Sequence, residues 1–330
     1  MTVLPRRGRL GLSRLGLGGA PLGNLYRAVD DETARAVVDA AWAGGVRHFD
    51  TAPHYGLGLS ERRLGAALRG RPRDELVVST KVGRLLVPDP DGADRRDEEG
   101  FDVAASHRRV RDYSRDGVLR SLEASLDRLG LDRVDIVYLH DPEDHWEQAL
   151  AEGLPALQEL RDQGVVRAVG AGMNLAGPLA ELVGHHDVDV VMCAGRHTLL
   201  EQSVELLDLA HEHDVDVVLA GVYNSGLLAR DRPGADATYD YAPVPADLLA
   251  RTRRLAEATE AFGVALPVAA LAFALQPPAV ASVVVGAADP RHVTEALDRL
   301  AVPVPDELWT SLQEAGLVSG PTAHHPQEHP

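Results

Sequence analysis

The stretch RHFDTAPHYGLGLSERRLG, residues 47–65, reads as a strand, a tight turn and the start of a helix. Arg47–Thr51 is a short apolar run that closes on Asp50. A Pro- and Gly-bearing turn carrying Tyr55 follows. From Ser60 to Leu68 apolar residues recur at three- and four-residue spacing, the period of a helix with one buried face. The same unit repeats along the chain. Val- and Ile-rich runs at Arg14–Gly18, Leu76–Thr80, Val134–Leu139, Val166–Gly170, Val188–Cys193, Val215–Ala220 and Ser282–Val285 read as further strands. Helical patterns lie between them, among them Glu32–Ala43, Arg115–Leu129, Trp146–Gln163, Leu199–Glu212 and Pro245–Phe262. Strands alternating with helices imply parallel pairing and right-handed crossovers. Eight such units predict an α/β fold, a single (β/α)8 TIM barrel spanning residues 1–318.

The flanks fit that frame. Met1–Leu12 reads as a β-hairpin turning near Arg6–Gly8 and covering the barrel bottom. The segment 319–330, SGPTAHHPQEHP, is Pro- and His-rich and reads as a disordered tail. Two connections exceed minimal turns: Gly83 to Ser114, strongly charged, and Val222 to Pro245. Each follows a strand, so each is a long loop at the C-terminal face, where barrel enzymes keep their active sites.

Composition narrows the function. The 330 residues carry 33 basic and 50 acidic side chains, a net charge of −17. Such a surface argues against nucleic acid and anionic membranes as partners. No run approaches the ~20 apolar residues that span a bilayer, and the opening residues lack the apolar core of a signal peptide. The single cysteine, Cys193, sits in an apolar run and reads as core, so neither a disulfide framework nor a cysteine zinc site is expected. These features predict a cytoplasmic protein. Of the 33 basic residues, 32 are Arg and one, Lys81, is Lys. A chain that uses Arg almost everywhere keeps one compact ammonium, at a strand end, and that invites a chemical reason.

Polar residues at the C-terminal ends of barrel strands point into the mouth. Asp50 ends the second strand, Lys81 the third and His140 the fourth, with Tyr55 in the loop after Asp50. Singly, each has an ordinary reading: a turn cap, a packing aromatic, a satisfied core histidine. Together on successive strands they mark one rim. His48, His54, Asp50 and His140 also raise a metal-dependent hydrolase, but the one His-x-His, His211–His213, precedes a strand and belongs to the opposite face. Asp141 and Glu143 raise a glycosidase pair, which lacks a marked second acid. No metal is expected.

The motifs DTAPHYGLGLSERRLG, STKVG, RLGLDRVDIVYLHDPE, VVRAVGAGMN and SVVVGA, in this order, resemble the aldo-keto reductase family over residues 10 to 300. The resemblance implies a tetrad of Asp50, Tyr55, Lys81 and His140. Tyr55 exchanges a proton with the substrate oxygen while hydride moves to or from nicotinamide. A phenol has a pKa near 10, and an ammonium about 4 Å away contributes roughly 4 kcal/mol at an effective dielectric near 20. Lys81 is therefore expected to bring Tyr55 toward working range, with Asp50 holding Lys81 and His140 orienting the substrate oxygen.

The resemblance also implies a nicotinamide site without a Gly-rich Rossmann loop. Asn174 is implied at the carboxamide, beside Met173 where many members carry Ser. Arg196 takes a position often held by Gln or Tyr. Val222, Asn224, Ser225, Gly226 and Leu228 are implied around the pyrophosphate; Gly286, Ala287, Arg291 and Glu295 are implied at the adenosine end. Gly286 and His292 stand where NADP-selective members place Lys and Arg, and Asp289 lies close by, so the cofactor is NAD or NADP with NAD favoured. Within the family the chain resembles the D-threo-aldose and pyridoxal 4-dehydrogenases, through STKVGRLL, RDYSRDG, NSGLLA and YDYAPVPADLLARTRRL. His197 replaces an aromatic residue of that pattern. The implied activity is oxidation of an aldose at C1 to the lactone. The alternatives are a general aldehyde or ketone reductase and a cofactor-binding regulatory subunit. Tyr113 and Tyr223 are substrate-pocket candidates; Trp146, at the start of a helix, reads as packing and Asp89–Glu99 as a solvated loop.

Overall fold

The computed structural model describes residues 4, 6–92, 94–240 and 242–319. An antiparallel pair, β1 (Arg6–Arg7) and β2 (Leu12–Ser13), precedes the barrel. Eight parallel strands then close on themselves: β3 (Leu15–Gly18), β4 (His48–Asp50), β5 (Val77–Val82), β8 (Ile136–His140), β9 (Ala168–Met173), β10 (Val190–Ala194), β11 (Asp216–Ala220) and β14 (Val280–Gly286). All eight expected strands are present, each shifted by a few residues at most, and the closed barrel is the predicted one. Two further antiparallel ladders form in the long loops. β6 (Arg84–Pro88) pairs antiparallel with β7 (His107–Arg111), and β12 (Thr238–Tyr239) with β13 (Ala242–Pro243).

The helices are α1 (Asp31–Ala43), α2 (Leu59–Leu68), α3 (Arg115–Leu129), α4 (Trp146–Gln148), α5 (Leu154–Asp162), α6 (Ala176–His185), α7 (Val204–Glu212), α8 (Ala246–Glu260), α9 (Leu266–Ala274), α10 (Pro290–Ala301) and α11 (Asp306–Glu314). Side chains cap the starts of α1 and α3. The Asp30 carboxylate accepts from Thr33 N, and the Ser114 hydroxyl accepts from Gly117 N, each satisfying an orphan donor of a first turn. The main core lies between strands and helices, while Leu12, Val77, Ile136, Tyr138, Val190 and Val218 belong to a second set inside the barrel. Cys193 is buried in the main core, as read from its apolar run.

Several boundaries differ from expectation. The helix read over Trp146–Gln163 is divided by a π turn at Ala149–Gly153. The helix read from Leu199 begins at Val204. There the Thr198 hydroxyl accepts from Leu200 N and Glu201 N, which gives that backbone an alternative to the helix. Leu199 and Leu200 are buried against α8, α9 and α11 instead. The N-terminal turn falls later than Arg6–Gly8, across Gly8 to Gly11, because both glycines take left-handed φ values of 70° and 64°. This turn plugs the barrel: Arg9 N and Leu10 N donate to the Asp216 carboxylate at 3.0 and 2.9 Å. Residues 1–3 and 5 of that expected hairpin lie outside the described residues, as do residues 320–330 of the expected tail. Ser319 is held, donating its hydroxyl to Gln202 Oε1 at 2.7 Å.

Gly65 shows how closely the outer layer fits. A Cβ added there would sit 1.8 Å from the Leu129 carbonyl oxygen, so α2 and α3 could not keep their spacing. Gly65→Ala is expected to cost about 1–3 kcal/mol, as overpacking does. Denaturant midpoints measure this; a midpoint equal to the native one would show that the two helices part without cost.

Candidate active site

Strand register brings the tetrad together. Asp50 pairs with Ser79 across β4 and β5, and Lys81 with Tyr138 across β5 and β8, so Asp50, Lys81 and His140 end adjacent strands. Lys81 Nζ donates to Asp50 Oδ2 at 2.6 Å and to the Thr51 carbonyl at 3.0 Å. Ser79 donates to the other Asp50 oxygen at 2.7 Å. Lys81 and Asp50 are each 2% exposed, which makes this a dry, hydrogen-bonded ion pair. Lys81 Nζ stands 4.8 Å from the Tyr55 ring centroid, and the Tyr55 ring meets the His140 ring edge-on at 5.9 Å. All four sequence-predicted residues line one cavity of about 840 Å³ at the C-terminal mouth.

Charge within this group is set by burial and by Lys81. Burial raises the Tyr55 phenol above its usual range, while the Lys81 ammonium pulls it back down. The net direction is upward, which corrects the expectation that Lys81 alone brings Tyr55 toward neutrality: the desolvation of a dry site was not legible in the motif. Lys81 loses basicity to burial but gains more from Asp50 and Tyr55, so it is held as an ammonium. Burial and the nearby Arg84 and Lys81 charges keep His140 well below its usual range. His140 is therefore a neutral imidazole that can donate or accept, depending on its tautomer. The trio of ammonium, phenol and neutral imidazole suits proton exchange with one substrate oxygen.

The wall around the tetrad comes from the long insert. His54, beside Tyr55, is pushed down to about 2 by burial and by Arg84 and Arg109, so it too is neutral. Phe101 packs edge-on against His54 at 5.1 Å and lies 6.0 Å from Tyr55. Arg109 donates to both Asp97 oxygens at 2.6 and 3.0 Å and to the His54 carbonyl at 3.0 Å. Asp97, read as part of a solvated loop, is thus buried in an ion pair, its side chain only 5% exposed. The hairpin fold of the insert makes this pairing possible, and linear charge density could not indicate it.

From the tetrad the cavity runs past Asn174, Val222, Tyr223, Asn224, Ser225 and Gly226 to Gly286, His292 and Glu295. Asn224 and Ser225 adopt left-handed φ values of 44° and 56°, a strained conformation that persists where surrounding structure enforces it. Among the cofactor residues named from sequence, four do not line this cavity. Arg196 is turned to Glu201 at 3.2 Å and Asp240 at 2.9 Å, and its Nε donates to the Asn174 carbonyl at 2.8 Å. It supports the Asn174 backbone rather than facing the cavity. Leu228 is buried among the α8 and α9 side chains, and Ala287 is buried in the main core. Arg291 lies on the surface, bonded through Nε and Nη2 to Asp289 at 3.0 and 2.8 Å. Its helix presents it outward, a rotation that a short motif cannot define.

The aromatic candidates divide. Tyr223 lines the cavity; Tyr113 does not. The Tyr113 ring is fully buried behind His140, and its hydroxyl donates to the His140 and Asp141 carbonyls. Trp146 packs against the main core, as read. His197 stacks on Phe273 at 5.1 Å and so does the packing work of the aromatic it replaces. Tyr26 and Arg299, which the sequence reading did not name, also line the cavity, as do His54 and Asp141, which it raised only for the metal-hydrolase and glycosidase readings. Asp141, next to His140 at a strand end, carried a signal. Tyr26 and Arg299 come from a distant loop and helix and carried none. Among the described residues there is no cluster of three metal-binding side chains, and no helix long and apolar enough to cross a membrane.

Comparison with known proteins agrees with this geometry. Residues 14–316 match the aldo/keto reductase family. The chain is 46% identical to D-threo-aldose 1-dehydrogenase of a Pseudomonas species, over 94% of this chain and 96% of that protein. It is 39% identical to pyridoxal 4-dehydrogenase of Microbacterium luteolum, over 94% and 97% respectively. An aldo-keto reductase of Bacillus halodurans, solved in its holo form, superposes with a TM-score of 0.74 at 26% identity, covering 99% of each chain. With a barrel-mouth tetrad that the motifs had already brought to one rim, the chain belongs to the aldo/keto reductase family, whose members use NAD(P), and it is an oxidoreductase.

Proposed function

We propose that the protein is a cytoplasmic dehydrogenase that oxidises an aldose of the D-threo or L-fucose type at C1 to the lactone. The observation that carries this reading is the Tyr55–Lys81–Asp50–His140 arrangement lining the cavity at the C-terminal mouth. The similarity to D-threo-aldose 1-dehydrogenase supports the substrate class. A bound oxidised nicotinamide would supply the hydride acceptor for C1. Tyr55 takes the proton of the C1 hydroxyl, and His140 hydrogen-bonds the same oxygen. The C1–H and O–H bonds break and a C=O bond forms, so atoms and electrons balance. Run in reverse, Tyr55 is the acid in carbonyl reduction, a direction favoured by its raised pKa. That reverse chemistry is the second reading, a general aldehyde reductase or a pyridoxal-type dehydrogenase, supported by the similarity to pyridoxal 4-dehydrogenase.

The cavity residues fit a dinucleotide. Asn174 would hold the carboxamide, the 222–226 loop the pyrophosphate, and Gly286 with Glu295 the adenosine end. Gly286 leaves room where a Cβ would meet Pro21 at 3.1 Å. NAD is the favoured form. The Arg291 guanidinium is occupied by Asp289, and Arg299, which lines the cavity, lies 3.5 Å from Glu295. A ribose phosphate would have to compete with both carboxylates.

The test is steady-state kinetics of the purified protein on aldoses with each cofactor, beside aldehydes with the reduced cofactors. The expected result is aldose oxidation with NAD at about tenfold or greater advantage in kcat/KM over NADP, the scale of one charge-assisted hydrogen bond. Aldehyde turnover without any aldose oxidation would replace the first reading by the second. A native preference for NADP that vanishes in Arg299→Ala or Arg291→Ala would overturn the NAD assignment and locate the cation responsible.

A further inference from the structure

Asp141 and Arg84 stand beside the tetrad and have no part in the chemistry described so far. Asp141 follows β8 directly, lines the cavity, and holds a left-handed φ of 44°. Its backbone is fixed on two sides. Its N–H donates to the Gly172 carbonyl at 3.0 Å, and its carbonyl accepts from the Tyr113 hydroxyl at 3.0 Å. A non-glycine residue in this conformation is costly unless its surroundings over-determine it. Here they do, and the outcome is a carboxylate aimed at a fixed place.

Arg84 fixes the side chain. It begins the insert hairpin at β6, is 7% exposed, and donates through Nη2 to Asp141 Oδ2. Its Nη1 reaches His54 Nδ1 at 3.4 Å and lies 3.8 Å from Glu99 Oε2. Burying a guanidinium is expensive, so this pairing commits the insert to holding one carboxylate at the cavity wall. Only Oδ2 takes the Arg84 bond, and a carboxylate offers about four lone-pair sites, so Asp141 keeps acceptor capacity. Asp141 Oδ2 is 3.7 Å from His140 Nε2. Because His140 addresses the reacting oxygen, a group this close to it meets the substrate about one carbon away.

We propose that Asp141 is a specificity-determining residue that accepts a hydrogen bond from a hydroxyl on the carbon beside the reacting carbon, and that Arg84 is the positioning residue for its carboxylate. The cavity thereby selects α-hydroxylated substrates over their deoxy counterparts. The inference rests on the reading of this cavity as the carbonyl and alcohol site, and it specifies which carbonyls are preferred. Discrimination is available to a site built this way, because a substrate lacking the hydroxyl leaves the Asp141 oxygen that Arg84 does not bind without a substrate donor.

The test compares matched aldehyde pairs in the reductive direction: glycolaldehyde with acetaldehyde, and lactaldehyde with propanal. The reading is the ratio of kcat/KM within each pair, for the native protein, Asp141→Ala, Asp141→Asn and Arg84→Met. The native protein is expected to prefer the hydroxylated member. Asp141→Ala is expected to lower that ratio about 10- to 100-fold, and Asp141→Asn, which keeps the shape and one acceptor oxygen, by less. Arg84→Met should lower it through a raised KM for the hydroxylated member. Cofactor affinity, followed by quenching of protein fluorescence, reports on folding of each variant; Asp141→Asn carries the test if the alanine variant does not fold. A native ratio near one, or a ratio unchanged in a folded Asp141 variant, would overturn the proposal. Failure of the aldose reading is distinct: it would show as no oxidation of any aldose by the native protein, whatever the aldehyde ratios.

Discussion

Lys81→Met is expected to cut kcat/KM at neutral pH by about a thousandfold, the rate equivalent of some three pKa units on Tyr55. Burial already raises the phenol, and Lys81 is the one charge among its neighbours that brings it substantially down. Without the ammonium, the pKa rises further. In the oxidative direction the phenolate is the base, so the pH–rate profile should move to higher pH, and part of the loss should return in alkaline solution. The substitution also leaves the Asp50 carboxylate buried with Ser79 as its remaining partner. Removing one member of a buried pair costs about 3–5 kcal/mol, so the variant should unfold at lower denaturant. The double variant Asp50→Asn/Lys81→Met separates the two effects: stability is expected to return and activity is not. A Lys81→Met protein with near-native rate at pH 7 would show that the ammonium does not activate Tyr55.

On the proposed mechanism, Tyr55→Phe removes the proton-exchanging group and leaves the ring in place. The expected loss in kcat is about 10²- to 10⁴-fold, the usual contribution of a positioned acid or base. The ring contacts with His140 and Phe101 are retained, so cofactor affinity should stay within a few-fold and thermal stability should change little. The pH dependence contributed by the phenol should disappear, unlike that of Lys81→Met, which should shift. Retention of native kcat in a folded Tyr55→Phe protein would transfer the proton role to another group, and His140 would be the first to examine.

Much of this was written in the chain. Short Val- and Ile-rich runs alternating with helical hydrophobic periods determined eight strand–helix units, and parallel strands with short crossovers close most simply as a barrel. Side chains at strand ends point into the mouth, so Asp50, Lys81 and His140 could be placed on one rim from sequence, and the lone Lys in an Arg-rich chain marked one of them. Local periodicity carries this information because strand and helix geometry depend on near neighbours. The tertiary structure decided what depends on distant ones. It turned Arg291 to the surface and Arg196 toward Glu201 and Asp240, where motif order had implied cofactor contacts. It buried Tyr113 behind His140 and folded the charged insert into a hairpin that brings Arg84 to Asp141 across 57 residues. It also set the balance at Tyr55, where desolvation outweighs the Lys81 charge. Helix rotation, loop folding and burial arise from packing between segments far apart in sequence, and no single segment encodes them.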